Sequence, residues 1–397
     1  MTPAARRAVG SHALASIGMS LPWPLLLVLV WEATHDEALL GLTGAARMLP
    51  YVAVSWAAGR LADRCSRHRL VRLTLWIRAA LLVVVAVAVA TDRLLVAVLA
   101  ATACIAAATP AYPALGAGMP RLAGTGSHRA TELLVTAEVT SFVVGPAIGG
   151  LMLAPAARPF VPVLSAALVL AAVVVFRGIE MPAPTRSGSH GSALGVVRTM
   201  ARSGPLVHAL LVICTVSVVC SAASLVLLPL AEEVWGQGET GFGIATAAFG
   251  FGGLAGPLMA RLGRGAAGNA AWSLGCVGVP LVLVAVSPGL AWALVPLTLV
   301  GAAAVQVEAL ATETFQHATP DRYRASVLGI GDTAIVAAAL VGSLVGPVAA
   351  SALGARGLTA LLGVLAALLV LDARRMTVPA RTGIAVGKSP APQPVRS

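Results

Sequence analysis

The chain has 397 residues, of which 58% are hydrophobic and only 11% are charged, and its formal net charge is +11. Soluble domains carry about 25% charged residues, so this composition leaves too little polar surface to face water on all sides. The apolar runs are continuous rather than alternating, which argues against a β-barrel and predicts an all-α membrane protein.

Apolar runs of about 20 residues recur along the whole chain and predict twelve transmembrane helices. The predicted spans cover about 10–31, 38–58, 70–90, 94–115, 130–153, 160–177, 206–230, 241–261, 270–287, 290–311, 325–349 and 357–371. The connections are short except for a central segment rich in Ser, Gly, Pro and Arg. We therefore expect an N-terminal six-helix half (1–177), a flexible cytoplasmic linker (178–204), a C-terminal six-helix half (205–373) and a disordered cytoplasmic tail (374–397).

Basic residues are distributed unevenly between the two sides that these spans define. Of the 27 Lys and Arg residues, 22 lie in the termini and in alternate connections. Three (Arg93, Arg158 and Arg356) lie in the opposite connections, and two (Arg47 and Arg78) lie well inside spans. Because basic loops remain in the cytoplasm, both termini are expected there, in a multi-pass protein of the cell membrane. The positive charge thus indicates anionic lipid, and not nucleic acid, as the partner of this surface.

One short basic segment, Gly59–Arg69, separates the second and third spans. It reads Gly-Arg-Leu-Ala-Asp-Arg-Cys-Ser-Arg-His-Arg, and we expect a loop because so many arginines are costly inside a bilayer. A diminished copy without the acidic residue follows 197 residues later, at Gly256, Arg261 and Arg264. This repeat predicts that the two halves are related by pseudo-symmetry.

The fifth span contains the sequence Gly145-Pro146-x-x-Gly149-Gly150. Glycines allow two helices to touch backbone to backbone, and a proline removes a backbone hydrogen bond and bends its helix. Two interpretations stay open, namely ordinary close packing or a smooth, kinked surface on which the two halves rock. The eleventh span contains a second such pair, Gly346-Pro347.

Five ionisable residues stand out because they lie well inside predicted spans, namely Arg47, Arg78, Glu138, Glu308 and Asp332. Ionisable groups are costly in a membrane, which makes each of them a candidate for proton or substrate binding. A carboxyl group in apolar surroundings favours its neutral form, so it can load and release a proton near neutral pH. Glu138 and Asp332 lie at similar depths in the two halves and are the leading candidates. The alternative is a structural ion pair of Glu138 with Arg47 or Arg78.

In its span count, its half-repeat and its motifs, the chain resembles the major facilitator superfamily. The family motif between the second and third helices runs Gly-x-Leu-Ala-Asp-Arg-x-Gly-Arg-Arg/Lys. Gly59, Asp63, Arg64 and Arg67 match it, whereas Ser66 replaces a glycine. The resemblance implies a latch, anchored by Asp63, that opens and closes during the transport cycle. A plain cytoplasmic loop is the alternative.

The glycines and the proline of the fifth span also match the antiporter motif of the same family. Residues 319–324, Thr-Pro-Asp-Arg-Tyr-Arg, resemble the bacterial branch that contains enterobactin-type siderophore exporters and macrolide efflux proteins. Drug exporters of the family often carry an arginine in the fourth span, but the predicted fourth span here, 94–115, contains no charged residue.

The resemblance implies a proton-coupled exporter of a hydrophobic or amphipathic small molecule, such as a drug, an antibiotic or a siderophore-like compound. It would act as a monomer by alternating access. No nucleotide-binding loop, catalytic triad or metal-ligand spacing occurs in the sequence, so we expect no enzymatic activity, cofactor or metal. An uptake symporter for a small metabolite and a non-transporting membrane sensor or accessory protein are the alternatives.

Overall fold

The computed structural model describes residues 1–181, 198, 200–256, 265–319 and 321–370, with the backbone alone described at the ends of several helices, including 55–60, 62–64, 265–273 and 321–326. Helices and short turns make up these residues, and none of them forms a strand. The prediction of an all-α protein is therefore confirmed. In chain order the helices are α1 (Pro3–Ser20), α2 (Trp23–Thr34), α3 (Glu37–Arg64), α4 (Arg67–Ala90), α5 (Leu94–Ala108), α6 (Ala111–Ala123), α7 (Ser127–Leu151), α8 (Phe160–Phe176), α9 (Gly204–Pro229), α10 (Gly238–Leu254), α11 (Gly265–Val286), α12 (Leu290–Ala318) and α13 (Asp321–Leu368).

Seven helical segments in the described part of the chain are long and apolar enough to cross a membrane. They are Pro3–Thr34, Arg67–Ala90, Leu94–Met119, Arg129–Leu151, Gly204–Val234, Leu290–Phe315 and Val327–Leu368. The last of these contains a break at Gly354, where φ is 72° and ψ is 157°, so it holds two of the predicted spans. A multi-pass membrane protein is thus confirmed, whereas the number of twelve spans stays a prediction.

The first predicted span is interrupted at Leu21 and Pro22, between α1 and α2. A proline has no N–H, so Pro22 cannot donate to the carbonyl oxygen of Gly18 four residues earlier. The hydroxyl of Ser165 on α8 donates to that oxygen instead, at 2.5 Å. Because a buried carbonyl needs a partner, this bond stabilises the bend and ties α1 to α8.

The basic segment Gly59–Arg69 is mostly helical, so the prediction of a loop was wrong. α3 continues to Arg64, α4 begins at Arg67, and only Cys65 and Ser66 separate the two helices. Arginine is a good helix former, and a helix can extend beyond the apolar stretch that predicts a span. The charges therefore mark the end of the apolar region but not the end of the helix.

The N-terminal and C-terminal helices meet chiefly along two pairs, α7 with α10 and α3 with α13. A Cβ atom on Gly150 would lie 2.7 Å from the carbonyl oxygen of Gly243, and one on Gly41 would lie 2.8 Å from that of Ser343. In the predicted halves, each pair joins the second span of one half to the fifth span of the other. This reciprocity agrees with pseudo-symmetric halves, although their boundaries stay predictions. The tail 374–397 and most of the linker 178–204 lie outside the described residues.

Candidate functional site

Glu138 on α7 is hydrogen-bonded to a histidine on α1. His12 Nε2 lies 2.6 Å from Glu138 Oε2, and the Ser16 hydroxyl donates to the same carboxylate oxygen at 3.4 Å. His12 is only 5% exposed, and its ring centre lies 5.8 Å from that of Tyr112 on α6. We call these four residues the Glu138 site.

The local sequence explains why the Glu138 site forms. His12 and Ser16 are four residues apart and therefore lie on one face of α1. That face can approach α7 closely because α7 carries glycines there. A Cβ atom on Gly145 would lie 2.6 Å from the Cβ atom of Ser20, and one on Gly149 would overlap the carbonyl oxygen of Leu21.

This contact changes the interpretation of the Gly-Pro motif. Gly145 and Gly149 face α1 within the predicted N-terminal half, so they do not form the surface between the halves. That surface is made by another face of α7, where Val143 and Ala147 lie against Gly250 of α10. Gly150 is the motif residue that touches α10, and Pro146 is buried inside α7, which remains helical across it.

The two other predicted acids border the same region from the C-terminal helices. Glu308 on α12 and Asp332 on α13 are both exposed to solvent and are close enough to interact electrostatically. Tyr112 lies within electrostatic range of both Glu138 and Asp332. The structure thus brings the three predicted carboxyl groups around one region, to which α6, α7, α12 and α13 contribute.

The predicted alternative for Glu138, an ion pair with Arg47 or Arg78, does not form among the described residues. The partner of Glu138 is His12. Both arginines instead lie within electrostatic range of Tyr51, which is also near Glu138. Arg47 on α3 is half-buried. The arginines therefore lie near Tyr51 and make no direct bond with Glu138 in the described part of the chain.

Arg78 on α4 is 1% exposed and lies beside the thiol of Cys104. No group in the described part of the chain accepts a hydrogen bond from its Nε or Nη2 atom. A buried guanidinium with missing partners is destabilising, so stability does not explain its presence.

The predicted latch lies where α3 ends and α4 begins. The backbone of Gly59, Asp63 and Arg64 is helical, and their side chains are outside the described part of the structure. Arg67 is 7% exposed, and its Cδ atom would lie 3.6 Å from a Cβ atom on Gly118 of α6. The pairing of Asp63 with an arginine therefore stays a prediction. The corresponding segment at 257–264 also lies outside the described residues.

A second group of charges joins the N-terminal and C-terminal helices. Arg158, in the turn between α7 and α8, donates from Nη1 to Glu32 Oε1 at 2.9 Å and to Glu239 Oε2 at 2.6 Å. Its Nη2 atom also donates to Glu32. Glu32 belongs to α2, whereas Glu239 lies in the first turn of α10. We call these three residues the Arg158 cluster.

Known proteins identify the family of this bundle. The sequence profile of the Major Facilitator Superfamily matches residues 8–336. The chain belongs to the major facilitator superfamily. It is therefore a transporter and not an enzyme. No curated protein sequence matches this transporter significantly.

Solved structures of other transporters share the fold of this superfamily member. The human organic anion transporter MFSD10 (TETRAN) is 18% identical, with 94% of this chain and 100% of that chain covered and a TM-score of 0.67. A bacterial homologue of the iron transporter ferroportin, in an inward-facing state, is 14% identical, with 94% and 100% covered and a TM-score of 0.69. The POT family transporter PepTSo is 11% identical, with 94% and 97% covered and a TM-score of 0.70. At such identities the likeness shows the fold alone.

Two features of the transporter were missed from the sequence. His12 was overlooked because a histidine is not obligatorily charged, although its four-residue spacing from Ser16 in an apolar helix was an available signal. The Arg158 cluster has no such signal, since its members lie far apart in sequence and each is an ordinary charge near the end of a predicted span.

Proposed function

We propose that this superfamily member is a proton-coupled exporter of hydrophobic or amphipathic small molecules that works by alternating access. The observation that carries the proposal is the contact of His12 with Glu138 inside two apolar helices. A fixed charge in that place would be costly, whereas a titratable couple can lose its net charge by binding a proton. Proton coupling requires such a group.

The couple offers a simple way to link proton and cargo. With His12 neutral and Glu138 ionised, the site carries one negative charge, and a bound proton removes it. A neutral site is compatible with apolar surroundings, while a charged site favours water or a polar part of the cargo. Proton and cargo would therefore compete for the Glu138 site, which is the basis of antiport. Asp332 and Glu308 are proposed as further proton or substrate groups in the same region.

The class of cargo is inferred from the helices around this region. The wall that the first, fourth, seventh and tenth predicted spans would form is largely apolar, and the helix α5 consists of apolar and small residues apart from Thr102. An apolar wall discriminates poorly between compounds of similar size. We therefore propose lipophilic cargo, in keeping with the resemblance to the bacterial drug and siderophore exporter branch, and not a sugar or a small anion.

The proposal also includes the direction of transport and the orientation of the chain in the membrane. Export is supported by the match of the fifth span to the antiporter motif. The distribution of basic residues supports a cell-membrane protein with both termini in the cytoplasm. In that orientation the Arg158 cluster lies on the outer side, and the contacts of Gly150 and Gly41 with the other helices lie towards that side. The chain is proposed to function as a monomer.

The test uses the full chain reconstituted into proteoliposomes, with a panel of lipophilic compounds and an imposed pH gradient. We expect the gradient to drive transport of at least one compound, and an uncoupler to abolish it. Glu138→Gln should remove the dependence on the gradient. Glu313→Gln is the matched control, because Glu313 is exposed on α12 and pairs locally with His317, at 3.8 Å.

Two results would overturn the proposal. If every compound equilibrates at the same rate with and without the gradient, the chain is not proton-coupled. If transport of a metabolite follows the proton inward in oriented vesicles, the uptake alternative is correct.

A further inference from the structure

The Arg158 cluster contains two carboxyl groups from opposite parts of the bundle. Glu32 and Glu239 bind the same guanidinium nitrogen, Nη1 of Arg158, at 2.9 and 2.6 Å. Two ionised carboxylates that crowd one nitrogen repel each other, and a proton on one of them removes this repulsion. The geometry of the cluster therefore favours one proton on the pair.

The surrounding charges support the same conclusion. Arg158 supplies the one permanent positive charge of the cluster, which cannot neutralise two carboxylates. The neighbouring helix ends carry His35, at 3.7 Å from Glu232, and the exposed Glu233. Glu232 also accepts a hydrogen bond from the indole of Trp31, another contact between the N-terminal and C-terminal helices. With every acid ionised, this end of the bundle holds an excess of negative charge.

Glu239 precedes the predicted span of about 241–261, so it lies outside the apolar part of α10. Partial burial, together with the neighbouring carboxyl group of Glu32, raises the pKa of Glu239 to about 7, against the opposing influence of Arg158. Conversely, the hydrogen bonds to Glu32 raise the pKa of the Arg158 guanidinium, which stays charged. The cluster thus keeps its arginine charged while a carboxyl group exchanges a proton near neutral pH.

We propose that Glu32 and Glu239 form a second proton-binding site of this transporter, one that exists only while the Arg158 end of the bundle is closed. Closure brings the two carboxyl groups together on Arg158, and opening separates them into water. This site is distinct from the Glu138 site, and the proposal requires neither export nor a particular cargo.

The sign of the pH effect follows from linkage. A carboxyl group that holds its proton more tightly in the closed state than in water favours closure when the pH falls and opening when the pH rises. In the predicted orientation this end faces the outside, so external acid would return the empty carrier to the state that is open to the cytoplasm. The ratio of open to closed molecules should rise about 10- to 100-fold between about pH 5 and about pH 8.

The experiment measures closure as a distance in the full chain. Spin labels are placed at Thr91→Cys, in the turn after α4, and at Ala291→Cys, in the first turn of α12. Both positions are exposed and lie at the same predicted side of the two halves. The five native cysteines are first replaced by serine or alanine. We expect the long-distance population of wild type to grow from about pH 5 to about pH 9, with a midpoint near neutral pH.

Variants test which carboxyl group causes the pH dependence of the spin-label distance. Glu239→Gln and Glu32→Gln keep a hydrogen-bonding side chain but remove one negative charge, so we expect each to keep the closed distance over the whole pH range. The matched control is Glu233→Gln, which should keep the wild-type profile because Glu233 is an exposed neighbour outside the cluster. The proposal would be overturned if the distance in the wild type does not depend on pH. It would also be overturned if the long-distance population of Glu239→Gln changes with the same midpoint pH as that of the wild type.

A second measurement avoids the cysteine substitutions, which alter buried positions. Hydrogen–deuterium exchange is compared between the wild type and Glu239→Gln at a single mildly alkaline pH. Peptides that cover 150–160 and 236–243 should be more protected in the variant, since its outer end stays closed. Equal protection of these peptides in the two proteins also contradicts the proposal.

Discussion

His12 Nε2 lies 2.6 Å from Glu138 Oε2, and this contact joins α1 to α7 within the predicted N-terminal half. Both residues belong to the same half, so the couple can move with it as one body. Transport therefore need not break this bond. What the two states of the carrier can change is the access of water, protons and cargo to the couple.

Removal of the imidazole should lower the rate of proton-driven transport. His12 Nε2 is the partner of the Glu138 carboxyl group at 2.6 Å, and a buried polar group that loses its partner is destabilised. We expect His12→Gln to lower the transport rate about tenfold or more. The measurement is the initial rate in proteoliposomes as a function of pH. His317→Gln, at an exposed position on α12, is the control. An unchanged profile in His12→Gln would show that the histidine only fills space.

The contact between α7 and α1 should depend on the absence of a side chain at Gly149. An added Cβ atom would overlap the carbonyl oxygen of Leu21, which is backbone and cannot move aside easily. We expect Gly149→Ala to lower the free energy of unfolding by about 1–3 kcal/mol. Gly116→Ala is the control, because nothing lies within 4 Å of a Cβ atom there and the change should be neutral or stabilising. The check is thermal unfolding in detergent, and equal melting temperatures of the two variants would disprove the close contact.

Closure of the Arg158 end should fail when the glycine pair between α7 and α10 gains side chains. A Cβ atom on Gly150 would lie 2.7 Å from the carbonyl oxygen of Gly243, and one on Gly243 would overlap that of Gly150. The clash exists only when the end is closed, so Gly150→Ala and Gly243→Ala should favour the open state. Spin-label distances at this end should lengthen at every pH, whereas Gly275→Ala, which has open space around it, should not change them. A closed distance in both variants would contradict this expectation.

Arg78 should matter for transport and not for stability. In the described part of the chain, the buried guanidinium of Arg78 lacks hydrogen-bond partners at Nε and Nη2. Buried charges are often replaced by apolar side chains at little cost or with a gain of about 1–4 kcal/mol. We expect Arg78→Met to keep or raise the melting temperature and to lower the rate of transport about tenfold or more. Thermal unfolding and transport are measured on the same preparation. A fall in stability with transport intact would reverse the assignment and make Arg78 a structural residue.

The apolar runs made the helices predictable, because a bilayer demands a continuous apolar surface. The ends of the helices were less predictable. α3 passes through the basic segment to Arg64 because arginine, leucine and alanine are good helix formers even where the apolar region has ended. The bend at Leu21 and Pro22 was not foreseen either, since the carbonyl that Pro22 leaves free is satisfied by Ser165 from α8.

The candidate site was predictable in part. Glu138 was recognised because an acid in an apolar helix is unusual, but its partner was not, because His12 lies 126 residues away along the chain. Glu32 and Arg158 are separated by the same number of residues. Such pairings depend on tertiary packing, which leaves no mark on local periodicity.

The two glycines at the contact of α7 and α10 have a consequence for how such a carrier can diversify. Where Gly150 meets Gly243, the halves are separated by main-chain atoms alone. The distance of closest approach is therefore fixed by peptide geometry and does not depend on which side chains surround the cargo. Residues that bind the substrate can therefore be replaced while the movement of the two halves stays the same. New substrate specificities can arise without changes at the contact of α7 and α10.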